Sequence, residues 1–180
     1  MHQYVVFLRG INVGGHTVIK TTLLKAFESL GFQNVSTYKQ SGNVIFYAAS
    51  ADPEAVTAKV EAKLREVLGY EVATSVCTIA QLKQILDVSA FKGCETIDAS
   101  FLVTFLSSTP SEAPLELPLT IPKSTAQIIA SKGMVVFSVT HGGGEGGMPN
   151  PFLESKLKVK ATTRNLNIIR EIVERYSMKE

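Results

Sequence analysis

The sequence predicts an α+β protein made of two units, and three observations predict it. The N-terminal segments follow the order β-α-β-β-α-β, which is the ferredoxin-like split pattern. A second set of segments then reads α-β-(turn)-β-β-α. At 180 residues, with 45% hydrophobic and 19% charged content, the chain can bury a substantial core. The expected organisation is a ferredoxin-like N-terminal unit over residues 1–78, packed against a second, smaller α+β unit over 79–180. The second unit reads as a diverged partner of the first, although no repeat is visible residue by residue.

Each element has a local reason. Tyr4 to Leu8 is a continuous apolar run, as expected of a strand buried on both faces. Thr21 or Thr22 caps a helix whose stripe is Leu23, Leu24, Phe27 and Leu30, with Gly31 as the stop. Val35–Gln40 and Asn43–Tyr47 are short strands. Ser41-Gly42 between them reads as a hairpin turn or as a bulge in one longer strand. Asp52-Pro53 is an N-cap followed by proline at the first helical position, and Val56, Val60, Leu64, Val67 and Leu68 follow on one face up to Gly69. Val72–Val76 closes the first unit.

In the second unit, Thr78-x-x-Gln81 fits a capping box before Leu82, Ile85 and Leu86. Phe101–Leu106 is strand-like. Pro110 to Pro122 holds four prolines and reads as loop. Ala126–Ala130 and Met134–Val139 form a hairpin about Ser131-Lys132-Gly133. His141 to Met148 is a loop with five glycines. A last helix is expected to start near Thr162 or Thr163, with the stripe Leu166, Ile169, Ile172, Val173 and Tyr176.

Composition narrows the function. A net charge of +2, from 18 basic and 16 acidic residues, is too balanced to point to nucleic acid as a partner. No apolar run approaches the roughly 18 residues of a membrane span, and no secretory leader is visible, so a cytoplasmic protein without membrane partner is expected. The two cysteines, Cys77 and Cys94, make neither a disulfide framework nor a CxxC motif. Monomer or weak homodimer is the expected state.

The loop Arg9-Gly10-Ile11-Asn12-Val13-Gly14-Gly15 carries the strongest chemical signal. Its glycines lack the GxGxxG spacing of a dinucleotide fingerprint. GxxxxG is present, but His16-Thr17 stands where a P-loop needs Lys-Ser/Thr. What remains is a glycine-containing turn with one forked, permanently charged donor, Arg9, beside Asn12 and Gly14. The structural alternative is an arginine paired with a carboxylate and glycines serving turns.

Ser41-Gly42-Asn43 is the second candidate. The end of strand 1 can lie away from the hairpin turn, in which case these residues only make the turn. The third is Lys156-Leu157-Lys158-Val159-Lys160 followed by Thr162-Thr163-Arg164-Asn165. Helix starts favour anions and Arg164 there opposes the dipole, so it needs a carboxylate or an anionic partner. The alternative for the lysines is a solvated edge strand. His2, His16 and His141 lack metal-ligand spacing, and no GxSxG elbow marks a nucleophile. Glu145 in the glycine loop is the least ordinary glutamate.

FLRGINVGG at Phe7–Gly15, YKQSGNVIF at Tyr38–Phe46 and TTRN at Thr162–Asn165 together resemble the bacterial family carrying the domain of unknown function numbered 1697. The resemblance implies an α+β protein with a ferredoxin-like N-terminal part and no assigned activity or cofactor. Members of that family carry RNWNT where this chain has Arg164-Asn165-Leu166-Asn167-Ile168, so an aromatic position is aliphatic here. The resemblance raises the interest of Arg9, Asn12, Ser41, Asn43, Arg164 and Asn165. They are expected either to line a pocket for a small anionic ligand between the two units or to form a buried hydrogen-bond network. The competing classes are an RNA-binding sheet, which needs exposed aromatics such as Tyr38 or Phe46, and a protein-interaction module with an exposed apolar patch. No catalytic residue is assigned.

Overall fold

A computed structural model of the chain describes residues 1–11, 17–39, 42–94, 97–112, 114–142 and 147–177. The chain divides into two compact units, Met1–Leu82 and Lys83–Glu180. The second is the longer of the two. It contains a helix and two strands that the sequence pattern did not resolve.

The first unit runs β1 (His2–Leu8), α1 (Lys20–Glu28), β2 (Gln33–Thr37), β3 (Asn43–Ala48), α2 (Pro53–Leu68) and β4 (Thr74–Thr78). The sheet order is β2-β3-β1-β4 and every neighbouring pair is antiparallel. The helical crossovers explain this order. Each leaves a gap of one strand, and the strand of the other crossover fills it in the opposite direction. Tyr4, Val6 and Leu8 of β1 and Val44, Phe46 and Ala48 of β3 face Leu23 and Phe27 of α1 and Val56, Val60 and Leu64 of α2. Phe46 anchors this core. It stacks on Phe32 at 4.3 Å and meets Phe27 edge-on at 5.3 Å. Val5 and Phe7, which point the other way, are also fully buried, which accounts for the unbroken apolar run of β1.

The helix ends divide into expected and unexpected. Asp52 accepts from the Glu54 N–H at 2.9 Å, Pro53 opens α2, and Gly69 ends it in the left-handed region. Helix α1 is different: its N-cap is Ile19, without a side-chain bond, and Thr21 and Thr22 lie inside the first turn. Burial of Leu23 and Phe27 sets where that helix starts, over the capping preference of threonine. Strands β2 and β3 pair as a hairpin, closed by the Tyr38 N–H donating to the Asn43 carbonyl at 2.9 Å, so the single-strand reading does not hold.

Helix α3 (Ile79–Leu86) crosses into the second unit. Its capping box is reciprocal: the Gln81 N–H donates to Thr78 Oγ1 at 3.1 Å and the Thr78 N–H to Gln81 Oε1 at 2.8 Å. A 3-10 turn at Ser89–Phe91 precedes β5 (Ser100–Leu106), β6 (Leu119–Thr120), β7 (Gln127–Lys132), β8 (Val135–Thr140), α4 (Asn150–Leu157), β9 (Ala161–Asn165) and α5 (Leu166–Tyr176). The sheet order is β6-β7-β8-β5-β9. Thr162 and Thr163 therefore sit in a strand, not at a helix start. Threonine suits both a cap and a strand, and pairing with β5 decides for the strand. Helix α4 was illegible because it buries only Leu153 and Leu157, has no side-chain cap, and ends on Lys158 at φ 55° where a glycine would have announced the stop.

The two units share one plan. β5, β7, β8, α4, β9 and α5 retrace β1, β2, β3, α2, β4 and α3, and the order β7-β8-β5-β9 repeats β2-β3-β1-β4. Among the described residues helix α1 has no counterpart; the proline-rich segment and β6 stand in its place. The hydrogen bonds repeat as well. Leu8 and Arg9 N–H donate to Gly42 and Ala73 carbonyls at 2.8 and 3.0 Å; Leu106 and Ser107 N–H donate to Met134 and Lys160 carbonyls, both at 2.9 Å. In each unit a glutamate from the preceding helix holds the first N–H of the last strand: Glu61 accepts from Thr74 at 3.0 Å, and Glu154 from Ala161 at 2.8 Å.

Ala161 is buried, so removing its acceptor strands a donor. Glu154→Ala is expected to cost about 1–3 kcal/mol, and Glu154→Gln, which keeps an accepting oxygen, less than about 1 kcal/mol. Urea unfolding midpoints at constant m-value measure both.

Candidate functional site

The topology gathers three connections at one end of the first sheet. Strand β3 runs antiparallel to β1 and starts where β1 ends, and β4 starts there too. The turn after β2 and the loop after β1 therefore share that end, contrary to the expectation that they can lie apart. The backbone bonds from Leu8 to Gly42 and from Arg9 to Ala73 record this. Arg9 is half-buried, and Gly10 follows at φ 71°, where a side chain would be strained. Ile11 then returns to the core. Asn12, Gly14 and Ser41, the other candidates of this end, lie outside the described residues.

Asn43 has a structural task here. It is buried, and its Nδ2 donates to the Tyr38 carbonyl at 3.1 Å while its own carbonyl accepts from the Tyr38 N–H. The side chain staples the β2–β3 connection. Lys39, at φ 54°, holds its Nζ 5.8 Å from the centre of the Tyr38 ring. Phe46 is buried in the helix-side core and offers no face for base stacking.

In the second unit the TTRN segment splits by strand alternation. Thr163 faces α4, with Oγ1 2.8 Å from Thr104 Oγ1 and 3.4 Å from Asn150 Oδ1. Arg164 points to the other face. It pairs with Val103, which pairs in turn with Phe137, and both are fully buried. Arg164 Nη1 donates to the Thr163 carbonyl at 2.8 Å. Burial pushes the guanidinium down from 12.5 to about 10, and it stays charged at neutral pH. Asn165 Oδ1 accepts from the Asn167 N–H at 2.9 Å, so Asn165 is the N-cap of α5. Two candidates, Asn43 and Asn165, thus hold backbone geometry, while Arg9 and Arg164 are the candidates that carry a permanent charge.

The shared plan sharpens the point. Arg9 occupies the position of Ser107, and Arg164 that of Cys77, since Val5–Cys77 and Val103–Arg164 are equivalent pairs. Cys77 is a buried residue whose thiol is pushed up to about 12 by desolvation. One copy of the plan builds this strand with a small apolar residue; the other carries a cation. No reading of the sequence without the strand pairing could align these positions.

Sequence reading also passed over the pair at the mouth of the glycine loop. His141 Nδ1 lies 3.4 Å from Asp98 Oδ1, and the Gly142 N–H donates to Asp98 Oδ2 at 3.3 Å. Both side chains are exposed. Glu145 lies outside the described residues. Among the described residues no three His, Cys, Asp or Glu side chains converge as a metal site, and no helix is long and apolar enough to cross a membrane.

These features define an α+β protein with two mixed units, each built on an antiparallel sheet. The chain belongs to the DUF1697 family, proteins of unknown function, whose model matches residues 1–137. That range contains the Arg9 loop and the Tyr38–Phe46 stretch but stops short of Thr162–Asn165. The fold is similar to that of the conserved bacterial protein SP0830 from Streptococcus pneumoniae, with a TM-score of 0.62 at 20% identity, over 96% of this chain and 97% of that one. A search of curated proteins gives no match.

The thiols provide a check on the packing of β4. At pH 8 a thiol-specific reagent is expected to modify only Cys94 in the folded protein, because Cys77 is buried and protonated there. Cys77 is expected to react only after unfolding, as read by peptide mass spectrometry.

Proposed function

We propose that this protein binds small anionic ligands at Arg9 in its first unit and at Arg164 in its second, on a ferredoxin-like scaffold used twice. The strand order β2-β3-β1-β4 with two helices on one face supports the ferredoxin-like reading of the first unit. The observation that carries the ligand is Arg164. A guanidinium in line with Val103 and Phe137 is an expensive way to complete a sheet face that Cys77 completes cheaply in the other unit. A desolvated guanidinium is, by contrast, well suited to a carboxylate or phosphate, because its two parallel N–H donors match the oxygens of either. Arg9, half-buried beside a positive-φ glycine, offers the same chemistry at the end of β1.

The energetics separate binding from architecture. The folded state holds the Arg164 proton less tightly than the unfolded chain, with a pKa of about 10 against 12.5. Its burial therefore disfavours folding at every pH below about 10, and the cost fades only as pH rises through that value. Arg164→Met, which keeps the volume and removes the charge, is expected to leave the thermal midpoint unchanged or higher and to lose the ligand. A drop of several degrees would make Arg164 a structural residue.

Native mass spectrometry of the protein after incubation with a metabolite extract tests the ligand itself. A small anionic adduct is expected on the wild type and is expected to be weakened or lost in Arg9→Ala, in Arg164→Ala or in both. Retention in both variants overturns the proposal. With the anion in hand, calorimetry on the double variant reports whether the two losses add or coincide, and so whether both arginines serve one ligand.

A further inference from the structure

The second unit brings together cations that are far apart in sequence. Strand β5 ends with Leu106 N–H bonded to the Met134 carbonyl on one side and Ser107 N–H bonded to the Lys160 carbonyl on the other. Lys132 closes β7 beside Met134, pairing with Val135. Helix α4 delivers Lys156 in its last turn and Lys158 at its left-handed C-cap to the same end, because β9 begins there. Lys132, Lys156, Lys158 and Lys160 are all exposed, as are Ser107 and Ser108 on the loop that leaves β5. None of the four lysines is ion-paired to a described residue.

The global charge hides this. Glu154 also lies at this end, on the Ala161 N–H, so the four lysines and this carboxylate sum to +3 there and leave the rest of a +2 chain at −1; the molecule is polarised although its bulk is nearly neutral. The residue types narrow the partner. Lysine ammonium groups with serine hydroxyls are the groups that contact phosphate and sugar. Among the described residues the end lacks the arginine, asparagine or glutamine forks that read base edges and the aromatic faces that stack unpaired bases. Hydroxyls add nothing toward a diffuse anionic lipid field. Met134 and Lys160 flank β5 at two strand spacings, roughly 10 Å, which measured along a duplex axis corresponds to about three phosphates per strand at a rise of roughly 3.4 Å each.

We propose that this lysine-rich end of the second sheet binds the phosphate backbone of double-stranded nucleic acid without sequence preference. This goes beyond the anion site of the arginines and uses none of its residues. Binding rests on counterion release, so it is weak and steeply salt-dependent. With four phosphates neutralised the slope of log K against log salt is about −3.6, and the dissociation constant is on the order of 10⁻⁴–10⁻⁶ M at physiological salt.

Fluorescence anisotropy of a labelled mixed-sequence DNA duplex of about 20 base pairs, titrated with full-length protein from about 50 to about 200 mM NaCl, tests the proposal. The wild type is expected to show a slope between about −3 and −4, with scrambled duplexes equivalent. Lys132→Glu/Lys156→Glu/Lys160→Glu is expected to bind at least about tenfold more weakly, with its circular dichroism and thermal midpoint unchanged. A charge-matched control, Lys20→Glu/Lys25→Glu/Lys59→Glu on the exposed helix surfaces of the first unit, is expected to bind like wild type. A slope shallower than about −1, equal loss in the control, or equal binding to poly-glutamate or to phosphatidylserine vesicles overturns it.

Discussion

The end of one interior strand in each sheet organises this molecule. β1 and β5 lie between two antiparallel neighbours, and their last residues donate to both sides: Leu8 to Gly42 and Arg9 to Ala73, Leu106 to Met134 and Ser107 to Lys160. Antiparallel pairing makes the neighbours begin where the interior strand stops. Every loop of chemical interest in the first unit, and every lysine of the polarised surface in the second, is at such an end for that reason. Slipping β1 by one residue against β3 would turn Tyr4, Val6 and Leu8 out of the helix-side core.

The same frame, used twice, separates residues the fold needs from residues it only tolerates. Glu61 and Glu154 do one job in both copies, and so do the caps Thr78 and Asn165 at the start of α3 and α5. Positions that keep their geometry but change their chemistry stand out against that background. Arg9 replaces a serine and Arg164 replaces a buried cysteine without disturbing the bonds around them. The backbone bonds of the plan are the same whichever side chain stands at these positions, so the change of chemistry is not imposed by the sheet.

Burial sets the energetic sense of that difference. Placing a guanidinium where its copy holds a small apolar side chain costs solvation, and the depressed pKa of Arg164 is the trace of that cost. The exposed lysines at the end of the second sheet are the opposite case. They remain in water, cost almost nothing, and act through their number and spacing.

Much of the fold was legible in the sequence because local chemistry announced it. Asp52-Pro53 and Gly69 bracket α2, the Thr78–Gln81 box opens α3, and the continuous apolar run of β1 implies burial on both faces; all depend on neighbours within a few residues. The membership in the DUF1697 family was readable from the Arg9 loop and the Tyr38–Phe46 stretch. Other features were decided only by tertiary structure. Helix α1 starts at Lys20 because Leu23 and Phe27 must face the sheet, not because threonines precede them. Thr162 and Thr163 became strand because β5 offered unpaired backbone groups, and Asn165 took the cap instead. The equivalence of Cys77 with Arg164, and the meeting of Lys132 with Lys160, exist only through strand pairing. Sequence determines what each residue prefers beside its neighbours; hydrogen-bonded register determines which distant residues become neighbours at all.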